Sequence, residues 1–167
     1  TDGGFALQMK ALSELFDATE ICVPVRGGDR DGTVPFDGRD VSIVPLSHPS
    51  GSGLMRKLLL PFWLLANLAT LRVAIRRADA VHVPIPSDVG TLGIVLARLS
   101  RKRLFVRHCG NWGDPRTSAE VTWKRWMERW ASQTNVALAT GAGTEPPSAV
   151  NERIEWIFST TLTRDEV

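Results

Sequence analysis

The chain has 167 residues, 43% of them hydrophobic, with a formal net charge of +2. That is enough for one sizeable core, and most simply for a single domain. Its basic residues are spread over predicted helices and are not read as a basic run with interleaved aromatics, which argues against a nucleic-acid-binding protein. The two cysteines, Cys22 and Cys109, have no metal-ligand spacing and suit a reducing compartment, so a disulfide-built scaffold is excluded. No signal-peptide pattern is visible, and a cytoplasmic location is expected.

Gly3 and Gly4 stand directly before a helix predicted over residues 5–17, as though a first strand had been cut away. The apolar face of that helix is Leu7, Ala11 and Leu15, with Leu12 and Phe16 one turn off. Glycines at this place leave backbone N–H groups open to a phosphate or other anion; a plain glycine turn is the alternative. Residues 19–25 are β-branched and apolar and read as a central strand. Residues 26–39 form a glycine-rich loop, in which Asp29-Arg30-Asp31 only superficially matches a metal-binding Asp-x-Asp, so no protein-held metal is expected. Residues 41–46 read as the next strand, and 47–53 as a Ser/Gly/Pro loop with a solvated His48. A long helix over 54–77, bent or restarted at Pro61, contains the most apolar run of the chain, residues 58–71. The run is too short to span a bilayer and is expected to be buried. Arg56, Lys57, Arg72, Arg76 and Arg77 at its flanks keep a lipid-facing surface open as the alternative.

Residues 80–85 are a short apolar run ending in prolines and read as a buried strand. Ser87 and Asp88 are good N-caps for the periodic segment 89–99, with Leu92, Val95, Leu96 and Leu99 on one face. Residues 103–108 form the next strand, which stops at His108 just before Gly110, Asn111 and Trp112. Strand, capped helix and strand make a βαβ unit with parallel strands and a right-handed crossover. Ligands of such sheets gather beyond the carboxyl ends of the strands, where Ser87, Asp88, His108, Asn111 and Trp112 are expected. The cluster Arg98, Arg101, Lys102, Arg103 is expected to be the solvated end of the helix. A helix over 118–132 follows, and its stripe of Trp123, Trp126, Met127 and Trp130 is expected to pack in the core rather than form a stacking platform. Residues 136–140 read as a strand leading to Gly141 and Gly143, two glycines of a dinucleotide fingerprint without the third at its offset. A short helical turn at 145–152 and a last strand at 153–158 complete the alternation. The expected fold is α/β, a Rossmann-like doubly wound, mainly parallel sheet with helices on both faces.

Several stretches carry a family likeness by their order: Gly3-Gly4 followed by FALQMKALSELF, the Asp79-Ala80-Val81-His82-Val83 strand, the 103–108 strand ending in His108, the 136–140 strand, and the 153–158 strand. Together they resemble the N-terminal domain of the GT-B glycosyltransferases, in the large retaining group called family 4. Two departures stand out: Pro84 where that family often has a second histidine, and Phe158-Ser159-Thr160-Thr161 where it commonly has an Asn-Gly-Val turn.

The resemblance implies that residues 1–167 are the acceptor-side half of a GT-B architecture, inactive without a C-terminal donor-binding domain that the chain does not include. That domain would supply the positive charge needed against the leaving diphosphate. Gly3 and Gly4 would approach the donor's phosphates or sugar. His108 would be the catalytic residue, stabilising and orienting groups beside the transferred sugar, and Asp88, Asn111 and Trp112 would bind the acceptor. A buried, hydrogen-bonded strand-end histidine is the alternative for His108, and His82 is read as structural. The substrates would be a nucleotide sugar and a hydroxyl acceptor (glycan, lipid-linked or small molecule), with no cofactor, no nucleic acid and a peripheral contact at the inner face of a membrane left open. A GT-B-shaped nucleotide-sugar epimerase and a non-catalytic α/β ligand-binding module are the rival readings.

Overall fold

A computed structural model of the protein describes residues 4–25 and 37–157, and every strand pair among them is parallel. The elements are α1 (Gly4–Ser13), β1 (Thr19–Pro24), β2 (Val41–Leu46), α2 (Gly53–Arg77), β3 (Ala80–Ile85), α3 (Asp88–Leu99), β4 (Arg103–His108), α4 (Ser118–Trp130), β5 (Asn135–Thr140) and β6 (Ile154–Ile157). Parallel strands flanked by helices make the protein α/β, consistent with a Rossmann-like doubly wound fold. The strands fall into two sheets, β1-β2 and β3-β4-β5-β6. The chain divides likewise into two compact units, with the boundary inside α2 between Thr70 and Leu71. Residues 145–152 are loop rather than the expected helical turn. Gly3, Asp29, Asp31 and the segment 158–161 lie outside the described residues.

In the first unit α1 buries Ala6, Met9 and Ser13 and leaves Leu7 exposed, as are Leu15 and Phe16 just beyond its end, a different face from the one expected. A polar anchor sets the rotation. Ser13 Oγ donates to the Lys10 carbonyl at 2.7 Å and accepts from the Arg39 amide at 3.1 Å, tying the helix to the segment that enters β2. Gly38 is required beside it, since a β-carbon there would stand 2.5 Å from Ser13 Oγ. β1 and β2 pair from Thr19↔Val41 to Pro24↔Leu46. Thr19 and Val25 donate to the Asp40 and Leu46 carbonyls, so the even-numbered residues of β2 face β1. Pro45 therefore turns its missing N–H to the outer edge, the position a sheet tolerates.

α2 runs unbroken through Pro61 and buries one narrow stripe, which includes Trp63, Asn67, Leu71 and Ala74. Ser47 fixes it in place. Its amide donates to Asn67 Oδ1 at 2.9 Å, its Oγ accepts from Asn67 Nδ2 at 2.7 Å, and its carbonyl accepts from Trp63 Nε1 at 2.6 Å. The apolar run is thus only partly buried, contrary to the expectation for residues 58–71, and the unbroken 25-residue helix that carries it is long and apolar enough to cross a membrane, contrary to the expectation that the run is too short.

The second unit is ordered by its sheet. Ile85 pairs with His108, which pairs with Ala139, so β3, β4 and β5 finish at one rim. Val83, Ile85, Leu104, Val106, His108, Ala137, Ala139 and Ile154 share one face and are all buried. α3 covers that face, capped by Ser87, whose Oγ accepts from the Gly90 amide at 2.9 Å. It buries Gly90, Gly93, Ile94, Leu96 and Ala97, whereas Val95 and Leu99 are exposed, so its inner face also differs from the expected one. Gly90 allows the close approach. A β-carbon there would stand 2.5 Å from Ser87 Oγ, 2.6 Å from the Pro84 carbonyl and 2.9 Å from Val83 Cγ1.

In α4 only Met127 is buried. Trp123 and Trp126 instead line, with Ile94, Val95 and Leu99, an apolar groove of about 420 Å³ between α3 and α4. The Arg98 guanidinium lies 4.2 Å from the Trp130 ring centre and 5.9 Å from that of Trp126, so the tryptophan stripe is a surface clamp on a cation rather than core.

Two outcomes test this packing. Gly90→Ala lowers stability by about 2–3 kcal/mol in denaturant titration, because backbone and side-chain atoms crowd the added methyl. His82, on the opposite face of β3, is held down to a pKa of about 4, mainly by burial and secondarily by the Arg107 charge. The unfolded imidazole takes its proton near pH 6.5, so the unfolded chain binds more protons between those values. Stability is therefore complete above about pH 6.5 and falls by about 3 kcal/mol toward pH 4. A His82→Leu variant removes that part of the pH dependence in thermal melts.

Candidate functional site

At the carboxyl rim β4 ends in a histidine that faces the core. His108 is completely buried, and among the described residues neither ring nitrogen meets a donor or acceptor in hydrogen-bond geometry. Burial pushes its pKa below the ordinary imidazole value. The Gly110 backbone and the Glu120 carboxylate pull the other way, and the Lys124 ammonium reinforces burial. The ring is therefore neutral near pH 7, with one N–H donor and one bare nitrogen acceptor.

Its neighbours come from the loop after β4 and the first turns of α4. Trp112 is buried, its ring 5.3 Å from that of His108 and nearly perpendicular to it, and its Nε1 donates to the Pro147 carbonyl at 2.6 Å. Lys124 Nζ donates to the Trp112 carbonyl at 3.0 Å and lies 5.0 Å from the centre of that ring. Glu120 closes a capping box with Thr117: its Oε2 accepts from the Arg116 and Thr117 amides at 2.8 and 2.9 Å, while Thr117 Oγ1 accepts from the Glu120 amide. Those backbone donors hold the Glu120 carboxyl below its ordinary value. Its other oxygen lies over Gly110, where a β-carbon would collide with Glu120 Oε1 and stand 3.1 Å from His108 Cε1. The glycine thus lets a fixed carboxylate approach the buried imidazole.

The other expected residues are placed as follows. Asp88 begins α3, just beyond the carboxyl end of β3 and next to Ser87, where a carboxylate complements the helix dipole. Asn111 Oδ1 accepts from the Gly113 and Asp114 amides at 3.1 and 3.3 Å, so its side-chain oxygen shapes the loop. Asp88, His108, Asn111 and Trp112 follow the ends of two paired strands, β3 and β4, on one rim. Trp112 offers no open face there. Gly4 is the first residue of α1, in the other unit. Gly141 and Gly143 have a packing role: a β-carbon would stand 2.9 Å from Trp156 Cζ3 at the first and 3.2 Å from Trp156 Nε1 at the second. No cluster of three or more His, Cys, Asp or Glu side chains able to hold a metal occurs among the described residues.

Glu120, Lys124 and Gly110 were not among the residues expected from sequence. The spacing Thr117-x-x-Glu120 is a legible capping-box signature, but its contact with His108 depends on where α4 docks. No family model, curated protein or solved structure matches this chain.

Paired substitutions separate charge from capping. Glu120→Gln keeps the capping geometry and Glu120→Ala removes it. Both lower the His108 pKa further in an NMR titration, and only the alanine variant lowers the melting temperature appreciably.

Proposed function

We propose that this chain is the acceptor-binding half of a retaining glycosyltransferase that moves a hexosyl unit from a nucleotide sugar to a hydroxyl acceptor. The observation that carries the reading is His108, an imidazole kept neutral at the carboxyl rim of a parallel sheet, whose ring nitrogens have no partner in hydrogen-bond geometry among the described residues. A buried polar group left unpaired costs about 1–3 kcal/mol, which a hydroxyl-bearing ligand would recover by hydrogen bonding. In its neutral form the ring can accept from one hydroxyl and donate to an oxygen bearing developing charge, the orienting role that the family resemblance assigns to it. Asp88 and Asn111 stand on the same rim and offer oxygen acceptors and amide donors to a polyhydroxylated acceptor. Trp112 borders the imidazole edge-on, so a ligand reaches His108 by displacing that ring or the loop that carries it.

In this reading the donor's nucleotide is held by a second domain, Gly3 and Gly4 approach its phosphates or sugar, and the protein works in the cytoplasm without a protein-held metal. The test is a transfer and donor-hydrolysis screen, with a panel of nucleotide sugars, on a polypeptide that joins this chain to its donor-binding domain. Transfer from at least one donor is expected. His108→Ala lowers kcat by about 100-fold or more while the fold, followed by circular dichroism, is retained. Unchanged turnover in that variant removes the role given to His108. Consumption of no donor removes the transferase reading, and an epimerised sugar nucleotide as sole product favours the epimerase.

A further inference from the structure

We infer that α2 is a peripheral docking helix for an anionic lipid bilayer, an assignment independent of any sugar-transfer chemistry. Leu54, Leu58, Phe62 and Leu65 recur at i, i+4, i+8 and i+11 and so form one column along the helix. Together with Met55 they are between 57% and 74% exposed, the reverse of what large apolar side chains adopt in a packed domain. The column ends in charge, because Arg72 and Arg76 continue it one helical repeat further on, and both are exposed. Arg56 and Lys57 stand near its start, and Arg76 and Arg77 in its last turn. α2 has five cationic side chains and no acidic one.

This charge pattern selects the occupant. A second copy docking through the same face would set two all-cationic helices against each other, which like-charge repulsion opposes. An anionic bilayer takes the apolar column into its headgroup boundary and meets the cations with phosphate. At 25 residues α2 is long and apolar enough to cross a membrane, but its opposite stripe favours a helix that lies along the surface. Trp63 and Asn67 are bonded to Ser47, so that side of the helix belongs to the protein's own core.

The experiment is co-sedimentation of the full chain with vesicles of phosphatidylcholine alone and of phosphatidylcholine mixed with phosphatidylglycerol, with the oligomeric state followed by light scattering. Binding to the mixed vesicles, weaker to the neutral ones and reduced by salt, is expected. The double variant Leu58→Glu/Phe62→Glu binds the mixed vesicles about tenfold or more weakly with an unchanged melting temperature, since both side chains are exposed. Arg72→Glu/Arg76→Glu abolishes the preference for anionic lipid. The inference is overturned if the chain stays in solution with both vesicle types, if either double variant binds like the parent, or if the apolar face instead mediates a dimer that L58E/F62E dissociates.

Discussion

Pairing of Ile85 with His108 across the β3–β4 ladder is the constraint from which the rest of the second unit follows. Parallel pairing makes neighbouring strands end together, and the β4–β5 register extends the same border to Ala139. The loops that leave this border start side by side, so Ser87, Asp88 and the 109–115 segment become neighbours although more than twenty residues separate them in sequence. Side-chain alternation does the rest. Leu104 and Val106 point into the core, so His108 must do so as well, and a polar ring arrives where the apolar column ends.

Burial disfavours the charged form of that ring, and the Gly110 backbone and Glu120 partly offset it. Burial first, and the Lys124 ammonium after it, oppose protonation of His108. Glu120 acts in the opposite sense, and its position is set by three backbone contacts of its own capping box. The imidazole therefore stands between an immobilised carboxylate and a cation that is itself held by the Trp112 carbonyl. Such an arrangement biases the ring's charge state through one neighbour placed by helix capping and another held by a loop carbonyl.

Strand positions were largely legible in the sequence as short apolar runs set between polar or glycine-containing segments, and β2, β3 and β4 match their expected bounds. Which way the helices turn was not. Ser13 and Asn67 are buried polar residues whose bonds are met by nearby backbone and side-chain groups, and an apolar-periodicity rule assigns such residues to the outside. The glycine-rich α3 was misread for a related reason: its inner face is the one that comes closest to Val83, not the one with the largest side chains. The rim residues Asp88, His108, Asn111 and Trp112 were found from topology, whereas the closed environment of Trp112 depends on Pro147, which no local pattern connects to it.

The prolines within the strands affect how these sheets meet their surroundings. In β3 the Ile85 carbonyl accepts from the Cys109 amide, which turns Pro84 to the outer border, as Pro45 is turned in β2. Each border therefore presents a carbonyl where a recruiting backbone would otherwise find a donor as well. Among the described residues no strand pairs with either border. A stray extended chain would find an interrupted template there, which guards the folded protein against runaway cross-β growth.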